Sequence, residues 1–269
     1  MFLENHLIQI VLITILLCFI VMSILFILGK IFNNMAIVDF GWSINFSLIA
    51  FYLIHTTKEI SKISLIFYIM VIIWSFRLAF YLLFTRILFK PEEGRYLKLR
   101  EKWKKHLDIK FFIFFQFQAI TNVILSVPLF LALYQNNEIQ INHYIAILFF
   151  IIGFIGESIA DFHLYYFKKN PNNKNKTLKT GLWKYSRHPN YFFELVIWFS
   201  FGLYHINLEY GYVAFVSFFI LLFFILKITG IPATEEQNLS SKGENYKNYI
   251  ENTSPLIPLP HKLYKKLKK

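Results

Sequence analysis

Seven apolar stretches, at 7–28, 35–54, 63–84, 111–134, 143–167, 189–204 and 212–228, take up most of the chain and leave little room for a soluble domain. A helix needs about 17–25 apolar residues to cross roughly 30 Å of hydrocarbon. Backbone polar groups in that medium must be satisfied within the segment itself, which selects helices. No alternating strand pattern competes with this reading. The expected fold is an all-α polytopic membrane bundle of about seven helices, forming a single transmembrane domain over 1–269. Hydrophobic residues make up 56% of the chain, with 32 Phe and 16 Tyr, more than a soluble globule of 269 residues could bury. The stretch 189–204 is the shortest and has polar flanks. The first stretch reads as a true span, because it is too long for a signal peptide and its leader Met-Phe-Leu-Glu-Asn-His lacks basic charge.

Charge sets the orientation. The net +12 is concentrated in loop 85–110 with nine Lys/Arg, loop 168–187 with seven, and the tail after 229 with seven. Loops 135–142 and 205–211 have none, and 56–62 has two. The positive-inside rule then puts the N-terminus outside and the C-terminus in the cytoplasm, a parity that seven crossings satisfy. Basic loops at a membrane surface face anionic lipid, so the partners expected are membrane lipids and not nucleic acid. The closing Lys-Lys-Leu-Lys-Lys reads as solvated charge facing lipid. A single cysteine, Cys18, lies inside the first span and excludes an internal disulfide or a cysteine-rich zinc site. Residues 95–107 read as a short interfacial helix, with Leu99, Trp103 and Leu107 on one face. Residues 235–250 read as a tail helix capped by Thr234 and ended by Pro255, Pro258 and Pro260 as an extended segment.

Ionisable groups at membrane depth are costly and call for a function or a partner. Glu157 and Asp161 are four apart in the fifth stretch, with Lys168 seven further on along the same face. They form either a structural ladder or the polar wall of a ligand cavity. Asn190 and Glu194 share a face at the start of the sixth stretch. An amide with a carboxylate can grip a planar carboxamide, the carboxylate accepting from its NH2 and the amide donating to its oxygen. Helix capping is the alternative for Asn190. Arg187 and His188 precede that helix, where a guanidinium beside a helix N-terminus makes a phosphate site, unless Arg187 merely snorkels to the surface. Trp183, Tyr185 and Tyr191 also fit an aromatic belt. Asp39 and Arg77 either pair, or Asp39 lines the cavity. His163 points away from Asp161 and reads as a packing residue. No HExxH, CxxC or two-His spacing supports a metal, no nucleophile elbow supports a serine hydrolase, and no GxGxxG supports a Rossmann domain.

The run Ser186-Arg-His-Pro-Asn-Tyr191 with Glu194 resembles the multi-pass membrane family grouped with the 3-oxo-5-alpha-steroid 4-dehydrogenases, the steroid 5-alpha-reductases. Further pieces follow in the family's order: Asp39-Phe-Gly-Trp42, Trp74-Ser-Phe-Arg77, Glu93-Gly-Arg95-Tyr96, Gly156-Glu157 with Asp161, Gly181-Leu-Trp183, Gly230-Ile-Pro with Glu235, and Tyr246, Tyr249 and Pro258. The resembling core covers about 36–260. Phe193 departs from the pattern, where relatives carry Gly before the Glu. The resemblance implies NADPH held inside the bundle. Asn190 and Glu194 would meet the nicotinamide carboxamide, and Asp161 and Lys168 would line the ribose–phosphate path beside Arg187 and His188. It extends the cofactor-binding set to Glu157, Tyr185, Tyr191, Glu235 and Tyr249. The implied reaction reduces a carbon–carbon double bond conjugated to a carbonyl. A carboxyl and a tyrosine would supply the proton, and Asp39 and Tyr96 are the candidates here.

S-adenosylmethionine-dependent membrane methyltransferases of the isoprenylcysteine and phospholipid type carry a similar Arg-His-Pro-x-Tyr run. They also have a tail matched here by Glu235-Glu236-x-x-Leu239 and Gly243-x-x-Tyr246-x-x-Tyr249, which makes S-adenosylmethionine the alternative cofactor. A third reading is a non-catalytic membrane protein. A transporter is disfavoured, since neither inverted repeats nor Gly/Pro-broken helices are visible. The substrate expected is an apolar small molecule or lipid. The membrane expected is the bacterial cytoplasmic membrane, with the endoplasmic reticulum as alternative.

Overall fold

The structure, a computed structural model, describes residues 2–268. Lys269, the last residue of the closing basic run, lies outside them. Among the described residues there is no β-strand, only one isolated parallel bridge between Ser186 and Ser254. The chain divides into two compact units, Met1–Ile139 and Gln140–Lys269.

The first unit holds α1 (Phe2–Ile31), α2 (Ile37–Thr56), α3 (Lys62–Leu82), α4 (Gly94–Lys102), α5 (Leu107–Leu125) and the short α6 (Val127–Leu131). Helix α1 packs on α2 and α5, and α2 packs on α3. Small polar residues bond across these seams. Ser47 Oγ donates to Ser75 Oγ at 2.7 Å, Ser75 Oγ donates to the Ser43 carbonyl at 2.6 Å, and Asn45 Nδ2 donates to Asn122 Oδ1 at 3.0 Å. Lipid chains are as apolar as leucine, so such bonds and close packing hold membrane helices together. The outer face of α1 carries exposed Leu12, Leu16, Ile20 and Ile24, a surface suited to hydrocarbon.

The second unit holds α7 (Ile141–Lys169), α8 (Pro189–Tyr204), α9 (Phe215–Phe223), α10 (Ile231–Lys242), α11 (Glu244–Asn252) and α12 (His261–Lys268). Helices α7 and α8 form an antiparallel hairpin whose approach depends on two glycines. A Cβ on Gly153 would stand 2.7 Å from Ile197, and one on Gly156 would stand 2.3 Å from the Phe193 ring. The bulky Phe193 therefore fills the space left by Gly156.

Among the described residues, six helical stretches are long and apolar enough to cross a membrane: His6–Ile31, Ile37–Thr56, Lys62–Ile87, Leu107–Tyr134, Ile141–Lys169 and Gly211–Lys242. The seventh expected stretch is α8. Helix α8 forms over the expected residues, but its 16 residues rise only about 24 Å, short of the hydrocarbon thickness. Two expectations change. The interfacial helix stops at Lys102, and Trp103 turns out of it to meet the Phe111 ring at 5.1 Å. The tail helix is two helices, because Gly243, at φ +53°, breaks it in a conformation that few other residues adopt.

Candidate functional site

The segment before α8 is held on both sides. Gly181, at φ +57°, lies against the His163 ring, where a Cβ would come within 2.7 Å. Trp183 is buried and donates from Nε1 to the Ala160 carbonyl at 3.0 Å, so it is an anchor onto α7 and not part of an aromatic belt. On the other side the tail folds over the segment as a strap. Arg187 N donates to the Ser254 carbonyl at 2.8 Å, Leu259 N donates to the Tyr185 carbonyl at 3.0 Å, and Ser186 Oγ donates to the Leu256 carbonyl at 2.6 Å. The Tyr249 hydroxyl reaches the carbonyls of Trp183 and Ser186.

Arg187 is the centre of this clasp. Only 6% exposed, it donates from Nε to Glu235 Oε1 at 2.7 Å and from Nη1 to the carbonyls of Ile250 at 2.9 Å and Thr253 at 2.6 Å. The guanidinium expected to hold phosphate thus spends these donors on the tail. His188 Nε2 lies 3.2 Å from the same Glu235 oxygen, and its ring stacks on Tyr191 at 5.4 Å. Burial holds His188 below its ordinary range, opposed by Glu235 and reinforced by Arg187. The Tyr191 hydroxyl meets Thr234 Oγ1 at 3.2 Å. Burial also pushes the Tyr246 phenol up to about 12 and raises that of Tyr249, so both stay neutral. Tyr185 is different: its ring is exposed, under the Lys184 ammonium, and only its carbonyl joins the clasp.

Beyond the clasp lie the carboxylates. Glu157 and Asp161 on α7 are each 3% exposed, and Glu194 on α8 is 7% exposed and accepts from Trp198 Nε1 at 2.9 Å. A rotation of 100° per residue places Glu157, Asp161 and Lys168 on one flank of the α7 face that meets Phe193 and Ile197. It places Asn190 and Glu194 on a flank of the α8 face that meets Gly153 and Gly156. Antiparallel right-handed helices wind in opposite senses along a common axis, so the two flanks lie on the same side of the hairpin. The three carboxylates and the amide therefore share one side of the hairpin. Near the end of α7 Lys168 is exposed, and its charge repels that of Lys242 on α10. That side of the hairpin carries acceptors suited to hydroxyl and amide donors, and cations suited to an anion.

The first unit brings together the other two candidates. Tyr96 on α4 is buried and donates from its hydroxyl to Asp39 Oδ1 on α2 at 2.7 Å. Burial, then the Asp39 charge, holds the Tyr96 phenol well above its ordinary range, so it remains a proton carrier at neutral pH. The Arg95 guanidinium lies 5.5 Å from the centre of the Tyr96 ring. Arg77 lies at 5.5 Å over the Tyr81 ring. Sequence reasoning missed Glu92, which accepts from Met35 N at 2.7 Å and from both Nε and Nη2 of Arg100, fixing α4 against the start of α2. It also missed the helix-end carbonyls that receive Arg187, since carbonyls carry no residue signature. Among the described residues no cluster of three or more His, Cys, Asp or Glu could hold a metal.

The family model described as "Protein of unknown function (DUF1295)" matches residues 25–253, a range that contains every candidate residue of both units. A relative in Schizosaccharomyces pombe (strain 972 / ATCC 24843), "Uncharacterized protein C594.04c", is 31% identical over 136 residues, which is 42% of this chain and 39% of that protein. The chain therefore spans about two fifths of the length of the curated relative it matches. No solved structure matches the chain.

Proposed function

We propose that this chain, which belongs to the DUF1295 family, is a membrane-embedded NADPH-dependent reductase of a carbon–carbon double bond conjugated to a carbonyl. Its substrate would be an apolar, lipid-like molecule. The observation that carries this reading is Glu194, a carboxylate 7% exposed in an apolar helix, one turn from Asn190 on the same face. Stability gains little from an acid in that place. Together the two side chains complement a carboxamide, and the acceptors Glu157 and Asp161 suit ribose hydroxyls. Lys168 and Lys242 suit the phosphates.

Bound there, the dihydronicotinamide would supply the hydride. Glu194 and Asn190 would orient the ring through its carboxamide. The clasp of Arg187, His188 and Glu235 would hold the start of α8, and so Asn190, in place. In the first unit, Tyr96, with Asp39 orienting its phenol, is the proposed proton donor. Orientation in the membrane is proposed from charge, with the basic tail cytoplasmic in a bacterial cytoplasmic membrane.

A methyltransferase using S-adenosylmethionine is the second reading. One observation favours it: Glu235, Tyr246 and Tyr249, the tail pattern of those enzymes, pack at the Arg187–His188 run. Thermal melts of the purified protein with NADPH, NADH and S-adenosylmethionine separate the two. A ligand at about 100 times its Kd adds roughly 2.7 kcal/mol of stability. NADPH should raise the melting temperature of the wild type. Glu194→Gln keeps an oxygen for Trp198 but loses the charge, and should weaken NADPH binding roughly tenfold or more, since hydrogen bonds to charged groups are worth about 1.5–3 kcal/mol. A shift with S-adenosylmethionine alone, or full NADPH affinity in Glu194→Gln, defeats the reductase reading.

A further inference from the structure

We propose that α12 is an interfacial anchor that binds the anionic headgroup layer of the membrane in which the protein sits. Leu263 and Leu267 are four apart on one face of α12, next to Tyr264, and are 44% and 68% exposed. Rotation by 100° per residue puts Lys265 opposite that face and Lys262 and Lys266 along its border, and all three are exposed. No Asp or Glu occurs after Glu251. The helix thus carries an apolar stripe bordered and backed by lysines, the pattern of helices that lie in the headgroup plane. Lysine stems can cover apolar surface while their ammonium groups reach lipid phosphates.

Eight residues are too few for a stable isolated helix in water and far too few to cross a bilayer. Here the root of the helix is fixed. Leu259 N bonds to the Tyr185 carbonyl, Tyr264 N bonds to the Pro260 carbonyl at 3.0 Å, and His261 Nδ1 lies 2.6 Å from the Asn252 carbonyl. The amphipathic face therefore has a set position beside the clasp. Exposed Ile257 and Tyr185, with Lys184 over the Tyr185 ring, add apolar and basic surface at the root. Charge complementarity selects anionic phospholipid as the occupant, and the neighbouring spans already hold the chain in such a membrane. This holds whether or not the proposed reductase activity does.

The test uses the full chain with Cys18→Ala, so that Leu263→Cys carries the one thiol, labelled with an environment-sensitive fluorophore. The protein is placed in nanodiscs of zwitterionic lipid alone or with added phosphatidylglycerol. The expected result is blue-shifted emission and protection from an aqueous quencher in the anionic discs. Combined Lys262→Gln, Lys265→Gln and Lys266→Gln should abolish that protection, because three lysines contribute roughly a hundredfold to membrane association. Leu267→Cys should repeat the result, and Lys265→Cys should remain open to quencher. Equal quenching at 263 and 265, or protection indifferent to lipid charge, overturns the proposal; the latter outcome points to protein covering the face.

Discussion

Replacing Arg187 with methionine keeps the bulk of the side chain and removes its three hydrogen bonds. The cost follows from what each partner loses. Glu235 keeps only His188 at 3.2 Å, and its side chain is 18% exposed, so water relieves part of the loss. Removing one member of a buried ion pair costs about 3–5 kcal/mol, and partial exposure argues for the lower end. The carbonyls of Ile250 and Thr253 sit at the end of α11, where helix geometry supplies no donors, and each lost bond adds about 1 kcal/mol. The sum, about 5 kcal/mol, should fall on the strap and not on the spans. At 1.4 kcal/mol per factor of ten, strap opening should rise by roughly several thousandfold. Hydrogen–deuterium exchange read by mass spectrometry measures this directly. Peptides covering the Arg187 and Leu259 amides should exchange much faster, while those from α1, α2 and α5 stay unchanged. Arg187→Lys should recover little, because a single ammonium cannot reproduce the planar fork that meets three acceptors. NADPH and NADH affinities should fall together. Unchanged exchange with a loss confined to NADPH would refute this and return Arg187 to a phosphate-binding role.

Three further outcomes are expected. His188 is held below its ordinary value of about 6.5 in the folded chain, so between the lowered folded value and about 6.5 the unfolded chain binds a proton that the folded one does not. Stability should therefore fall as pH drops from 7 through this window, and melts of His188→Gln should show a flatter profile. Tyr96→Phe removes the donor to Asp39 and should lower the rate of enone reduction about 10²–10⁴-fold while leaving NADPH affinity intact, as read by NADPH oxidation and binding in parallel. Gly156→Ala should cost about 1–3 kcal/mol through overlap with the Phe193 ring, and Phe193→Ala should relieve it, giving a strongly non-additive double-mutant cycle in thermal melts.

The membrane class, the helices and the polar face of α7 were legible because hydropathy and the spacing of four are local properties. The pairing of Tyr96 with Asp39 was legible only as two separate candidates. Their 57-residue separation leaves no trace in a single sequence. Helix α8 is the short case, because Asn190 and Glu194 extend its pattern in polarity but not in apolar reach. Arg187 was read by its chemistry alone, since its partners Ile250 and Thr253 contribute only backbone oxygen. The closing basic run reads as solvated charge. Its helical phase, and with it the exposed Leu263–Leu267 face, depends on where Pro260 ends the strap.

What the sequence determined alone is the solvent and the secondary structure. Continuous apolar runs have no stable place in water, and hydrocarbon forces every peptide group into a helix. Only the tertiary structure decided which polar groups meet. The closeness of α7 to α8 hangs on Gly153 and Gly156, the strap on Gly243, and the direction of Arg187 on where α11 ends. A side chain's partner in a bundle is set by the packing of helices remote in sequence, and that packing energy is spread over many small contacts that no single residue announces.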